Sequence, residues 1–231
     1  MKVAVLSDIH GNDYALGAVL NQFSSDIEEI WILGDLVGYY YDIKGVLDRL
    51  KRSNLPLRMI RGNHEVALKL ALSSKDVRND YLEKYGSSLE FAIQTLSPEE
   101  IHALVNLPDT LTPIRGVLLS HGSPWNPDEY VYQNAEKSKL QRFSNYHEDI
   151  FFLGHTHYPM NLNLDGKRII NPGSVGQQRN GIRGAHWGIF DTQSKTYQQI
   201  CTPYDESKLI LDVNRIDPKI EYLHKILLRE A

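Results

Sequence analysis

Apolar runs alternate with segments of helical spacing at the start of the chain. Residues 2–6 are apolar and largely β-branched, which predicts a strand buried on both faces. Residues 30–34 predict a second buried strand, and residues 55–62 predict a third strand. Each run is followed by a segment with a helical repeat, and these segments begin at Asn12 or Asp13, at about Asp42 and near His64. Three strand–loop–helix units in succession predict a parallel, layered α/β arrangement.

The pattern changes in the middle of the chain. Residues 66–106 have helical spacing and no strand pattern, and Ser97 with Glu100 forms a capping box within them. Shorter elements follow: strands around 110–120, 150–154, 160–164, 167–170, 186–191 and 196–202, a helix over 133–143, and an outer amphipathic helix over 220–228. Because no repeat or linker interrupts the chain, we expect one domain over residues 1–231 with a helical insertion at about 66–106.

Composition narrows the class of protein. The net charge of −4 gives no global attraction to nucleic acid or to an anionic membrane, so an anionic substrate must be held locally. The one cysteine, Cys201, excludes an internal disulfide, fits a reducing compartment and is expected to be buried in a strand. The apolar stretch near the N-terminus is too short for a signal sequence or a membrane span. We therefore expect a soluble, cytoplasmic protein.

Polar side chains follow the predicted strands at the points where the strands end. Five such strand ends carry metal-binding residue types: Asp8 and His10, Asp35, Asn63 and His64, His121, and His155 and His157. In open α/β sheets the ligand site lies at the carboxyl ends of the strands, so these side chains are expected to converge. Glycines beside most of them allow close approach of the backbone.

Each of these strand ends has an ordinary alternative explanation. A Gly-Asp pair is a common turn, Asn-His before a helix can be an N-cap, and His-x-His alone has roughly even odds of ligating a metal. The combined set is harder to attribute to chance, because it supplies seven oxygen and imidazole ligands without a thiolate. That set suits Mn, Fe, Zn, Ni or Co, and seven ligands suit two ions that share a carboxylate.

The ordered set of motifs resembles a known family. "SDIHGN" (7–12), "LGDLVGYY" (33–40), "RGNHE" (61–65), "LSHGSP" (119–124), "LGHTHYP" (153–159) and "NPGSVGQQR" (171–179) are similar to the motifs of the calcineurin-like metallophosphoesterases. More narrowly, they resemble the small bacterial and archaeal phosphodiesterase-type branch. The resemblance implies a four-layer α/β/β/α sandwich of two mixed sheets, with a dinuclear metal site at the strand ends.

The resemblance also implies roles for individual residues. The first metal would be held by Asp8, His10 and His157, the second by Asn63, His121 and His155, and Asp35 would bridge them. The next residue, His64, would not be a ligand but would face the scissile phosphate and stabilise its charge or protonate the leaving oxygen. Hydroxide generated at the metals would then attack phosphorus in line.

Several neighbouring residues have two possible roles. Asn12 could donate to a phosphate oxygen or cap a helix, and Arg179 could pair with substrate or be an ordinary surface arginine. The family commonly has proline at Gln178 and glycine at Tyr40, so both loops depart from its pattern. One of Tyr39, Tyr40 and Tyr41 could line the cleft, with the other two as packing residues. The histidines outside the strand ends are expected to be structural or solvated: His102, His147, His186 and His224.

The expected function is hydrolysis of a small, nucleotide-like phosphodiester or a dinucleoside polyphosphate. The alternatives are a phosphomonoesterase of the same mechanism and a catalytically silent metal-binding scaffold. A metallo-β-lactamase-type hydrolase does not fit, because "HTH" is followed by Tyr158, Pro159 and Met160 instead of Asp-His. Charges in residues 66–106 are balanced, so this segment is expected to wall the cleft without forming a nucleic-acid groove. Oligomeric state stays open.

Overall fold

The computed structural model of the protein describes residues 1–227, which form two sheets and the helices that cover them. The strands are Lys2–Leu6 (β1), Ile27–Ile32 (β2), Leu57–Met59 (β3), Thr110–Ile114 (β4), Val117–Ser120 (β5), Ile150–Phe152 (β6), Met160–Leu164 (β7), Lys167–Asn171 (β8), Ala185–Asp191 (β9) and Tyr197–Thr202 (β10). The helices are Asp13–Leu20 (α1), Ile43–Arg52 (α2), Asn63–Ser73 (α3), Lys75–Tyr85 (α4), Ser88–Thr95 (α5), Pro98–Val105 (α6), Lys137–Gln141 (α7), Ser207–Ile216 (α8) and Glu221–Leu227 (α9). A 3₁₀ turn over Arg142–Asn145 continues α7.

Both sheets are mixed and have five strands. The first has the order β10-β9-β1-β2-β3, with β1, β2 and β3 parallel and β9 antiparallel to both β1 and β10. The second has the order β4-β5-β6-β8-β7, with β5, β6 and β8 parallel and the outer strands antiparallel. In each sheet, the loops that follow the parallel strands therefore lie at the same edge.

The two sheets share a buried core. Val3, Val5 and Trp31 on the first sheet pack with Leu119 and Phe152 on the second. The Trp31 and Phe152 rings meet edge to face, with centroids 5.9 Å apart. Because strands buried on both faces lose water from both sides, continuous apolar runs at β1 and β2 fit this position.

Helices cover the outer face of each sheet. Helices α1, α2, α3, α5 and α6 contribute to a core with the far faces of β1 and β2. On the second sheet, Leu140 and Phe143 from α7 and the 3₁₀ turn pack on Phe151 and Ile169. The layers are therefore α/β/β/α, and the predicted four-layer sandwich of two mixed sheets is confirmed.

Most predicted elements are present, and residues 66–106 are helical, as expected. Four predictions differ from the structure. The strand predicted over 55–62 is observed only as β3, Leu57–Met59, and it is only partly buried because it is an edge strand of the first sheet. Helix α8 was not predicted, because only Leu209 and Val213 of it are buried and its apolar repeat is short. The helix predicted over 133–143 begins later, at Lys137. Cys201 lies in strand β10, but it is exposed because β10 is an edge strand.

The C-terminal helix predicted over 220–228 is observed as α9, and Leu228 lies outside the described residues. Among residues 1–227, no helix combines the length and apolar character needed to span a membrane.

The core between the sheets gives a stability prediction. Replacing Phe152 by Ala removes a fully buried ring that also contacts Phe190, with centroids 5.1 Å apart. We expect Phe152→Ala to lower the free energy of unfolding by about 3–5 kcal/mol. Leu211→Ala is the control, because Leu211 is 66 % exposed and should change stability by less than about 0.5 kcal/mol. Equal losses in chemical denaturation would contradict the assigned core.

Candidate metal centre

The loops that follow the parallel strands of both sheets meet at one place. Ligand atoms of three sets lie within 4.8 Å of one another: Asp8, His10 and His157; Asp35, His121 and His155; and His10, Asp35 and His64. All of these side chains are buried. The strand ends identified in the sequence therefore converge on a single buried cluster.

The first set is built on the loops after β1 and β6. His157 Nε2 lies 3.2 Å from Asp8 Oδ1 and 3.1 Å from His10 Nε2. His10 Nε2 lies 3.8 Å from the same Asp8 oxygen. Two imidazole nitrogens and one carboxylate oxygen thus face a common point.

The second set is built on the loops after β2, β3, β5 and β6. His121 Nε2 lies 3.2 Å from Asp35 Oδ2 and 3.1 Å from Asn63 Oδ1. The His155 ring packs on His121, with centroids 5.0 Å apart.

Asp35 lies between the first and the second set. Its Oδ2 lies 3.9 Å from His10 Nε2 in the first set and 3.2 Å from His121 Nε2 in the second. Its Oδ1 accepts a hydrogen bond of 2.9 Å from the backbone N–H of His64, which fixes the carboxylate. The geometry therefore gives Asp35 the position that a bridging ligand requires.

Backbone carbonyls orient the four imidazoles. A carbonyl only accepts, so the ring nitrogen facing it carries a proton, and the other nitrogen is turned towards the centre. The pairs are His10 Nδ1 with Val37 O at 2.9 Å, His121 Nδ1 with Leu33 O at 2.7 Å, His157 Nδ1 with Gln177 O at 2.5 Å, and His155 Nε2 with Asp128 O at 3.2 Å. This arrangement is typical of metal-ligating histidines.

The backbone at the cluster is strained. Left-handed φ values, uncommon for residues with side chains, occur at Asp8 (54°), His10 (53°), Asp35 (55°), Tyr39 (57°), His155 (66°) and His157 (62°). Such strain persists only where the surroundings enforce it, and it is concentrated at functional sites. Gly62 lets the Asp35 carboxylate lie against the backbone, because a Cβ at this position would be 2.1 Å from Asp35 Oδ1.

Glu65 holds the loop that carries Asp35. Its carboxylate accepts hydrogen bonds from the backbone N–H groups of Asp35 (2.9 Å), Leu36 (2.8 Å), Val37 (3.1 Å) and Gly62 (2.7 Å). Four donors on one fully buried carboxylate fix the loop after β2 against the start of α3. Sequence reasoning missed this role, although Glu65 closes the "RGNHE" motif.

The electrostatics of the cluster suit cations. Burial opposes the ionisation of Asp35, but the imidazoles of His121 and His64 outweigh it and hold the pKa of Asp35 well below its usual range. Burial would lower the pKa of His121, yet Asp35 and Asp8 raise it to about 10. Burial also lowers the pKa of His155 to about 4, which leaves a neutral ring able to ligate.

One buried atom shows that the donor set fits a metal ion. Asp8 Oδ1 is buried and accepts no hydrogen bond among the described residues, although it faces His10 and His157. An unpartnered carboxylate oxygen in the interior is costly, and a cation would satisfy it. Nitrogen and oxygen donors without thiolate match borderline divalent ions.

A cavity of about 120 Å³ opens beside the cluster, and His64 forms part of its wall. His64 Nδ1 lies 2.7 Å from Tyr81 Oη, and burial lowers the pKa of the imidazole. Gly38 makes room for this ring, because a Cβ there would lie 2.3 Å from His64 Nδ1. Tyr81 and Tyr85 on α4 line the same cavity, so the helical segment does wall the cleft.

Arg179 also lines the cavity, and its partners are neutral. Its Nη2 donates to Tyr39 Oη at 3.1 Å, Tyr222 Oη at 3.0 Å and Gln177 Oε1 at 3.3 Å. No carboxylate forms an ion pair with it among residues 1–227. Tyr222 on α9 also donates to Gln177 Oε1 at 2.9 Å, a role that the sequence did not indicate.

Asn12 lies away from the cavity and caps α1. Its Oδ1 accepts from Ala15 N at 3.0 Å, and its Nδ2 donates to Gly176 O at 2.9 Å and Tyr204 Oη at 3.1 Å. The side chain is fully buried, so the capping alternative is the one that the structure supports.

The tyrosines after β2 and two of the histidines outside the cluster lie where the sequence analysis predicted. Tyr39 lines the cavity, whereas Tyr40 and Tyr41 are buried with α8 and α9. His186 is buried and bonded to a backbone carbonyl, and His102 is exposed.

Comparison with known proteins identifies the family. The model of the calcineurin-like phosphoesterase superfamily domain matches residues 1–195. The chain belongs to this superfamily. It is therefore a metal-dependent phosphoesterase, and the resemblance carried by its motifs is confirmed.

Individual relatives support this assignment. The phosphoesterase is 32 % identical to an uncharacterized protein of Methanocaldococcus jannaschii, over 89 % of each chain. It is 28 % identical to a metallophosphoesterase from Sphaerobacter thermophilus, with a TM-score of 0.81 and 99 % of each chain covered. A hypothetical protein from Pyrococcus horikoshii shares the fold, with 24 % identity, a TM-score of 0.86, and coverage of 100 % of this chain and 98 % of that one.

The unpartnered oxygen of Asp8 leads to a metal-binding prediction. We expect Asp8→Asn to weaken divalent-metal binding by at least about 100-fold, because even the loss of a ligand's hydrogen-bonding partner costs about 10- to 100-fold. Metal content and calorimetric titration measure the change. Asp149→Asn is the control, because the Asp149 side chain is 73 % exposed on the second sheet. Unchanged metal affinity in Asp8→Asn would remove Asp8 from the ligand set.

Proposed function

We propose that the protein hydrolyses phosphodiester bonds in a small, nucleotide-like substrate, using two divalent metal ions. The observation that supports this proposal is the pair of buried residue sets that both approach Asp35 beside the His64 cavity. Asp8, His10 and His157 would hold one ion, Asn63, His121 and His155 the other, and Asp35 would bridge. Manganese is the first metal to test, among Mn, Fe, Zn, Ni and Co. The single, exposed cysteine fits the cytoplasm as the proposed compartment.

Ions held there would supply Lewis acidity to the phosphate oxygens and lower the pKa of water near phosphorus. The surrounding residues keep this chemistry enclosed, since the ligands are buried and their outer nitrogens are bonded to protein carbonyls.

His64 is the proposed acid at the leaving oxygen. The Nδ1 atom of His64 is hydrogen-bonded to Tyr81 Oη. The Nε2 atom of His64 lies 3.9 Å from Asp35 Oδ2. A ring nitrogen of His64 also lies within 4.8 Å of the ligand atoms of His10 and Asp35, so His64 could itself bind a metal. Metal content and turnover must therefore be measured together. Protonation of the departing alcohol or stabilisation of the phosphate charge is the role we assign to it.

Arg179 is the proposed anion-binding residue of the site. A guanidinium with only neutral partners retains its charge for a phosphate oxygen, and Tyr39 and Tyr222 fix its direction. This observation also favours a second candidate function, hydrolysis of phosphomonoesters, because a monoester carries the extra negative charge that a free guanidinium would bind.

The silent-scaffold alternative has less support. Every position that the family uses for metal binding is filled by a ligating residue, and these side chains converge. Two solved structures with the same fold are described as an archaeal phosphodiesterase (19 % identity, TM-score 0.53) and a putative diadenosine tetraphosphatase (19 % identity, TM-score 0.56).

Replacement of His64 separates catalysis from metal binding. We expect His64→Ala to retain its metal and to lose about 10²- to 10⁴-fold in kcat on bis-p-nitrophenyl phosphate, the usual value of general acid catalysis. Turnover and metal content are measured on the same sample. His102→Ala is the control, since His102 is exposed on α6. Loss of metal from His64→Ala would make His64 a ligand instead, and no turnover by the wild type with any of the five metals would favour the scaffold.

Replacement of Arg179 tests whether its guanidinium binds the phosphate of the substrate. We expect Arg179→Gln to raise KM by about 10- to 100-fold, because a hydrogen bond to a charged group contributes about 1.5–3 kcal/mol. A larger effect on p-nitrophenyl phosphate than on the bis ester would favour the monoesterase. Arg115→Gln, at an exposed turn, should leave KM unchanged. Equal kinetics of Arg179→Gln and wild type on both substrates would exclude substrate contact.

A further inference from the structure

A row of tyrosines leads away from the candidate metal centre, starting at His155. The Tyr130 ring packs on the ligand-set residue His155, with centroids 4.0 Å apart, and lies parallel to Tyr132, with centroids 6.0 Å apart and planes at 9°. Tyr132 meets Tyr158 edge to face at 5.7 Å. These three rings are 44 %, 37 % and 38 % exposed, in the order Tyr130, Tyr132 and Tyr158.

A second cavity, which we call the tyrosine cavity, lies at the end of this row. It has a volume of about 730 Å³, and its walls include Tyr132, Tyr158, Gln133, Asn134 and Thr156. The cavity beside His64 holds only about 120 Å³, which suits a phosphoryl group but not a nucleoside. A substrate whose phosphate reaches His64 must therefore place its larger part elsewhere.

The two cavities are neighbours. Thr156 lies between His155 and His157 in the chain and forms part of the wall of the tyrosine cavity. Tyr130 lines the small cavity and stacks on Tyr132, which lines the large one. A group bound at the tyrosine cavity thus stays close to the metal centre.

The walls of the tyrosine cavity favour a flat, neutral ligand with polar edges. No lysine, arginine, aspartate or glutamate lines it within the described residues, so no charged side chain there can pair with a phosphate. Tyr132 and Tyr158 meet edge to face, so one of the two rings contacts the other only through its edge. Neither face of that ring is covered by its partner, and aromatic faces accept any nucleobase. The exposed amides of Gln133 and Asn134 can donate and accept hydrogen bonds at a base edge.

We propose that the tyrosine cavity binds the nucleoside part of the substrate while its phosphate lies at the metal centre. This inference rests on the proposed phosphodiesterase function and specifies its substrate class as a nucleoside phosphodiester. Tyr132 and Tyr158 are the residues that determine this specificity by stacking on the base.

Direct binding tests the site without any turnover. Calorimetric titration of the wild-type protein with adenosine should show binding, and Tyr132→Ala and Tyr158→Ala should each weaken it by about 5- to 100-fold, the usual value of one stacked base. Tyr14→Ala is the matched control, because Tyr14 on α1 is 39 % exposed and far along the chain from this surface. No adenosine binding by the wild type, or equal weakening in Tyr14→Ala, would overturn the proposal.

Kinetics separate this inference from the proposed function. Thymidine 5′-(p-nitrophenyl phosphate) and methyl p-nitrophenyl phosphate share a leaving group and differ only in the nucleoside. We expect the wild type to have at least about a 5-fold lower KM for the thymidine ester, and Tyr158→Ala to lose most of that difference. Tyr14→Ala should keep it.

The possible failures give different results. Hydrolysis of both esters with equal KM would overturn the nucleoside site and leave the phosphodiesterase intact. Hydrolysis of neither ester would overturn the proposed function, and adenosine binding would still decide the site. Self-association that weakens in Tyr158→Ala would show that a second copy of the chain covers this surface, which would also overturn the proposal.

Discussion

The fold brings the carboxylates of Asp8 and Asp35 into its interior, and their negative charge must be compensated there. Asp8 and Asp35 are buried at the edge where the loops of both sheets meet, surrounded by neutral or protonated imidazoles. Charge in a place without water is costly unless it is paired or coordinates a metal. A cation bound at this edge would compensate both charges, and the side chains around them come from separate loops of both sheets.

The loops are held by one another as well as by the strands. Asp8 N donates to Gly34 O at 3.1 Å, His10 N to Asp35 O at 3.0 Å, and Gly154 N to His121 O at 2.8 Å. These bonds connect the loop after β1 with that after β2, and the loop after β5 with that after β6. The network stabilises the left-handed backbone of the cluster, and it explains how side chains from distant parts of the sequence keep fixed directions.

The proposed metal ligands and the tyrosines around them come from different elements of the chain. Every proposed ligand lies within residues 1–195, which match the superfamily. Tyr222, which fixes Arg179, comes from α9 beyond that region, and Tyr81 and Tyr85 come from the helical segment. Tyr130 and Tyr132 lie in the connection between β5 and α7. The proposed ligands thus follow the ends of the strands, whereas these tyrosines come from the helices and from the connection before α7.

The sequence alone predicted most of the elements and the residues of the cluster, because both depend on local signals. Continuous apolar runs predicted β1 and β2, and the residues that follow strands named the cluster around Asp35. It did not determine α8, whose buried positions are few, or the exposure of Cys201, which depends on β10 lying at a sheet edge. Only the tertiary structure decided between the two roles of Asn12, revealed the four donors on Glu65, and placed Tyr222 against Arg179. These contacts join residues that are far apart in the chain, and a contact of that kind leaves no periodic or local pattern in the sequence.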